Sequence, residues 1–138
     1  MSTNDKRRVA ILATDGFEES ELIEPHKAME EAGIEVDVVS PSNSDSIKSW
    51  TSGNWGKDVV IDKHVSKVKH DDYHALMIPG GVINPDKLRR DEDSVNFVRD
   101  FFAAHKPVAA ICHAPQMLIE ADVVEGRRMT SFHSIRKD

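Results

Sequence analysis

Apolar positions along the chain fall into short unbroken runs separated by longer amphipathic stretches. Val9-Ala10-Ile11-Leu12-Ala13, Ala75-Leu76-Met77-Ile78 and Val108-Ala109-Ala110-Ile111 contain no polar residue, as expected of strands buried on both faces of a parallel sheet. The segment 34–40 alternates instead, which reads as a strand with one wetter face, near a sheet edge. Leu22, Ile23, Met29 and in part His26 recur at helical spacing across 18–32, with Glu18, Glu19 and Glu21 in the first turn and Gly33 after the last. Acid at the start and glycine at the end both suit a helix. Val95, Val98, Phe101 and Phe102 predict a second helix over 93–105. A third is predicted over 115–121, because proline is tolerated in a first helical turn. Strands alternating with helices predict an α/β fold built on a parallel sheet.

The interruptions are informative too. Residues 41–57 are polar and then carry both tryptophans, Trp50 and Trp55, around Ser52-Gly53-Asn54, which predicts a small hairpin or excursion. Residues 59–62 read as extended, and Met129–Phe132 as a further short strand beyond a turn at Gly126. Pro79-Gly80-Gly81 directly follows a predicted central strand. That is either a plain tight turn or backbone that something must approach closely. Asn84-Pro85-Asp86 reads as a loop insertion after it.

Composition adds limits. The chain has 138 residues, enough for one domain spanning 1–138. A net charge of −6 without a basic cluster argues against a nucleic-acid partner. No run approaches membrane-spanning length, and Met1–Arg8 lacks the apolar core of a signal peptide. One cysteine cannot close an internal disulfide, so a reducing cytoplasm is the expected compartment.

That cysteine, Cys112, ends the last apolar run at the point where a strand turns into a helix. A lone cysteine is ordinarily a small buried hydrophobe. At such an elbow, however, its side chain is pushed out at the carboxyl end of a sheet, toward backbone N–H groups that stabilise a thiolate. The adjacent His113 adds a candidate base.

Asp15-Gly16-Phe17-Glu18-Glu19-Ser20-Glu21-Leu22, Pro79 to Asp86, Ala109 to Pro115 and Glu125-Gly126-Arg127 together resemble the ThiJ/PfpI superfamily, specifically its PfpI-type intracellular protease and deglycase branch. The likeness runs in order from about Val9 to Ile135. It implies a doubly wound, mostly parallel sheet in a three-layer sandwich of the class I glutamine amidotransferase-like (flavodoxin-like) type. It also implies Cys112 as nucleophile, Glu21 as the acid that meets it, and His113 as a further member of the site, oriented by an acid from a neighbouring subunit. Asp86 occupies that acid's position, where the protease pattern has glutamate. Glu18 is a candidate for the pocket wall. The family pattern continues past Asp138, so part of the sheet's cover is expected to be missing from this sequence.

Physical chemistry constrains the implied roles. A carboxylate and a thiolate side by side repel, so a thiolate at Cys112 requires Glu21 to be largely protonated and to donate a hydrogen bond to the sulfur. The shared proton suits Glu21 to general acid and base work. The N–H groups of Gly81 and His113 are candidates for an oxyanion hole. Of the remaining histidines, His26 is a candidate to reach the pocket; none of His26, His64, His70, His74, His105 and His133 shows metal-ligand spacing, and no cofactor is implied.

The resulting expectation is a stress-response hydrolase or lyase acting on a small reactive aldehyde or a glycated protein, assembled as a homodimer or homohexamer. A non-enzymatic redox sensor or chaperone-like protein using the same cysteine is the alternative. An intracellular peptidase is a third.

Overall fold

A computed structural model describes residues 6–138. Five parallel strands form the central sheet in the order β5-β2-β1-β6-β7. They are β1 (Arg8–Leu12), β2 (Glu35–Ser40), the two-residue β5 (Lys63–His64), β6 (Ala75–Ile78) and β7 (Val108–Ala110). β1 lies at the centre, with Val9 opposite Val36 on one side and opposite Ala75 on the other. β3 (Ser46–Thr51) and β4 (Asn54–Val60) make the separate tryptophan hairpin. In it Trp50 faces Trp55 across the ladder and their rings meet edge-on at 4.9 Å. The hairpin carries the extended 59–62 segment as far as Val60.

Alternation along the strands divides the core in two. Ala10, Leu12, Leu76 and Ile78 face one side, where they meet Leu88 of α2 (Ile83–Leu88), Phe97, Val98 and Phe101 of α3 (Glu92–Ala103), and Met117 of α4 (Pro115–Glu120). Ile11, Ala13 and Val38 face the other, against Phe17, Leu22 of α1 (Glu19–Glu31) and Ile47 of the hairpin. The buried side chains of β1 and β6 thus pack alternately against the two layers, as period-2 geometry requires. This is the α/β fold on a parallel sheet that the runs predicted, in the three-layer sandwich that the resemblance implied. Among the described residues no helix is long and apolar enough to cross a membrane.

Three expectations are corrected. Residues 83–88 form α2 rather than a loop; Pro85 is accommodated because its missing N–H falls in the first turn, where none is needed. Met129–Phe132 is irregular rather than a strand and leads into a 3-10 turn at His133–Ile135. Phe132 is engaged there by the elbow, its N–H donating to Cys112 O and its ring stacking on His113, so sequence propensity alone does not make a strand. β7 is not buried on both faces either. It is one of the sheet's two edge strands among the described residues, the other being β5, with Ala109 exposed and Ile111 just beyond it 49% exposed.

Candidate functional site

The site assembles where β1, β6 and β7 end and their following loops converge. Cys112 occupies the turn between β7 and α4 with φ of +61°, a left-handed conformation uncommon for a residue with a side chain. Such strain persists only where surrounding structure enforces it, and it clusters at functional positions. Here the elbow is tied on both sides. Ala114 N–H donates to Ile111 O at 2.9 Å, and Phe132 N–H donates to Cys112 O at 2.9 Å. Because α4 is only six residues long, its macrodipole offers the thiol little. Local donors matter more.

His113 is closer to the sulfur than sequence adjacency requires. The residue is 7% exposed, and Nδ1 lies 3.3 Å from Cys112 Sγ, the sulfur's hydrogen-bond contact among the described residues. Nε2 lies 3.0 Å from Ser134 Oγ, while Phe132 stacks on the ring at 4.6 Å between centroids. Burial, and secondarily the charge of His133, hold the imidazole's pKa below its usual value. At neutral pH the ring is therefore uncharged and able to accept the thiol proton.

Glu21 reaches the same spot from the first turn of α1, where Leu22 is inserted into the core beside it. Gly80 N–H donates to Glu21 Oε1 at 2.8 Å. Burial pushes the Glu21 carboxyl above the usual carboxylate range. The Gly80 hydrogen bond opposes that shift and the neighbouring Glu18 charge adds to it. The direction agrees with a carboxyl that is protonated more readily than an exposed one. The hydrogen bond itself goes to the Gly80 backbone rather than to the sulfur.

Gly80 is the spacer between the two groups. A Cβ built there would meet Glu21 Oε1, Cys112 Cβ at 2.6 Å and Ile111 O at 2.8 Å. Both the carboxyl and the cysteine therefore lie against the same bare Cα, which decides the reading of the two glycines in favour of close approach. Gly81 follows with φ of +89°, and a Cβ there would meet Gly16 O at 2.7 Å. Among the described residues, neither Gly81 N–H nor His113 N–H donates to a partner within the chain.

The other candidates are placed less centrally. Glu18 Oε1 accepts from Thr51 Oγ1 at 2.9 Å, so its carboxylate is turned toward the hairpin. Glu19, a plain helix-start acid by sequence, instead anchors the hairpin by accepting from Ser49 Oγ and Lys57 N–H. Those bonds hold its carboxyl below the usual range. Asp86 lies in the first turn of α2, 62% exposed, and pairs with Arg90 at 3.5 Å. His26 faces Glu30 at 3.3 Å rather than the pocket. No three of His, Cys, Asp and Glu converge as metal ligands among the described residues. A groove of about 410 Å³ runs from Glu21 between α1 and the sheet edge, lined by Pro25, Met77, Ala109 and Ile111.

Two contributors were not legible in sequence. Asn84, fully buried on α2, accepts from Thr14 N–H at 2.7 Å and donates to Pro79 O at 2.8 Å. It ties the end of β1 to the glycine loop. Ser134 holds His113 from a segment 21 residues away. No local spacing signals either contact.

The chain is 42% identical over 132 residues to a protein of Bacillus subtilis (strain 168), YraA, which carries a provisional cysteine-protease name; the match covers 96% of this chain and 75% of that one. It is 42% identical over 130 residues to protein/nucleic acid deglycase 2 of Escherichia coli (strain K12), covering 94% of this chain and 73% of the relative. Among solved structures, a two-domain protein of Anabaena variabilis with DJ-1/ThiJ/PfpI-like and ferritin-like domains superposes with a TM-score of 0.89 at 35% identity. That match covers 96% of this chain and 37% of the larger protein. Residues 7–138 match the DJ-1/PfpI family, and the chain belongs to it.

Proposed function

We propose that this protein is a cysteine-dependent glyoxalase or deglycase-type enzyme acting on small reactive aldehydes and on early glycation adducts. The observation that carries the reading is Cys112 Sγ held 3.3 Å from a buried, uncharged His113, with the Glu21 carboxyl across Gly80. In this scheme His113 accepts the thiol proton and the sulfur adds to the aldehyde carbon of methylglyoxal. The Gly81 and His113 N–H groups receive the developing oxyanion. Glu21 takes the proton from the former aldehyde carbon and returns it to the neighbouring carbonyl carbon, while the proton held by His113 passes to that carbonyl's oxygen, giving a thioester of lactate with no net oxidation. Water then releases lactate and the free thiol. Relatives named as a deglycase and as a cysteine protease support covalent cysteine chemistry of this general kind.

A reducing cytoplasm suits a catalytic thiol of this kind. Assembly as a homodimer or larger homo-oligomer is part of the proposal. The exposed Asp86 carboxylate and Val82, 64% exposed, stand beside the glycine loop, where a second subunit can meet the site.

The test is turnover of methylglyoxal to lactate by wild type and Cys112→Ser. Wild-type turnover that falls about a thousandfold or more in the variant, with circular dichroism unchanged, is expected. Equal rates in both proteins, or no wild-type turnover of methylglyoxal or of a glycated peptide, would overturn it; the second outcome would favour a redox-sensing role for the thiol.

A further inference from the structure

We propose that Ser134 is a positioning residue of the site, acting with the Phe132 ring to hold the His113 imidazole so that Nδ1 faces Cys112. The inference rests on the cysteine chemistry above only for its catalytic consequence; the geometry stands without it.

Three contacts from one short segment converge on the elbow. Phe132 N–H donates to Cys112 O. The Phe132 ring stacks on His113 with an interplanar angle of 28°. Ser134 Oγ lies 3.0 Å from His113 Nε2. The backbone bond sets the height of the segment above the elbow, the stack fixes the plane of the imidazole, and the hydroxyl fixes its rotation about that plane. Phe132 keeps 40% of its surface exposed, so its position over the ring is not forced by burial in the core. The strand expected at 129–132 is absent because these residues serve the elbow instead.

The chemical consequence follows from the hydroxyl's properties. With Nε2–H donating to Ser134 Oγ, Nδ1 is left as the acceptor facing the thiol. After proton transfer the same bond becomes charge-assisted, which favours the thiolate–imidazolium pair. A carboxylate at this position would favour it further; a hydroxyl leaves His113 readily deprotonated. The other titratable groups about the ring are Cys112 itself, His133 beside Phe132, and Glu21 across Gly80. None of these offers Nε2 an acceptor within the chain.

The experiment needs no substrate. Iodoacetamide alkylation of Cys112 across pH, together with the ring-nitrogen NMR shifts of His113, is measured for wild type, Ser134→Ala, Ser134→Thr and Ser134→Asp. In Ser134→Ala, alkylation at neutral pH is expected to slow by about tenfold, and the Nε2-protonated tautomer to lose its dominance. Ser134→Thr, which keeps the hydroxyl, restores both. Ser134→Asp speeds alkylation at mildly acidic pH by favouring the imidazolium. Alkylation profiles and nitrogen shifts unchanged in Ser134→Ala, or a Thr variant that behaves like Ala while keeping its fold, would overturn the assignment. Failure of methylglyoxal turnover in wild type would not move these readouts, so the two proposals fail separately.

Discussion

Replacing Gly80 by alanine puts one methyl group into the narrowest part of the site. The new Cβ meets Cys112 Cβ at 2.6 Å and Ile111 O at 2.8 Å, both on the elbow, and Glu21 Oε1 on its other side. The carboxyl can swing away, but it then abandons the Gly80 N–H it accepts from at 2.8 Å. The carbonyl and the cysteine move only if the elbow moves, and that turn is tied through Ala114 and Phe132. Overpacking of this kind costs about 1–3 kcal/mol, and backbone among the obstructing atoms places it in the upper half of that range. For a domain of this size the expected fall in Tm is about 5–12 °C. A displacement of the cysteine on the order of 1 Å should lower methylglyoxal turnover about a hundredfold. Scanning calorimetry gives the first quantity and a lactate assay the second. Gly53→Ala is the control: nothing lies within 4 Å of a Cβ there, so only left-handed strain of about 1 kcal/mol remains and turnover should be untouched. A Gly80→Ala protein that melts with wild type and turns over at the wild-type rate would refute the close approach of Glu21 and Cys112 about this glycine.

Glu21→Gln keeps the acceptor for Gly80 N–H but cannot move a proton, and should lower turnover by about two to four orders of magnitude; a variant with wild-type rates at every pH would remove Glu21 from proton transfer. The same variant carries a linkage prediction. The folded carboxyl titrates above the usual carboxylate range, so its favourable contribution is complete below that range and is lost as pH rises through the folded pKa. Thermal melts should therefore show Glu21→Gln gaining stability relative to wild type on going from acid to neutral pH, and a pH-independent difference would contradict the direction of the shift. Asp86→Ala should lower turnover only in an assembled form, measured by light scattering during the assay; a fully active monomer, or unchanged kinetics in the variant, would exclude a role for this carboxylate.

The periodicity of apolar residues determined most of the architecture. Unbroken runs at 9–13 and 75–78 can only be satisfied between two covering layers, and the 3.6-residue repeats read at 18–32 and 93–105, observed as α1 and α3, contribute to those layers. The elbow was legible as well, because a run ending at Cys112 before Pro115 leaves little alternative to a strand turning into a helix. The resemblance of four ordered motifs pointed to the family. Local pattern was insufficient wherever a residue's role depends on what faces it. Residues 83–88 contain proline and asparagine yet form a helix, because Asn84 is buried between the end of β1 and Pro79 and its bonds there stabilise the turn. Met129–Phe132 has strand-forming residues yet forms none, because its backbone and its aromatic ring are engaged by Cys112 and His113. Whether two glycines mark a turn or a close approach depended on atoms from α1 and from the elbow that are 59 and 32 residues distant. Sequence spacing carries information about contacts only within one element, where helix or strand geometry converts number into distance. Contacts between elements follow from how whole faces pack, and the tertiary structure alone decided which donor each nitrogen, oxygen and sulfur of this site would meet.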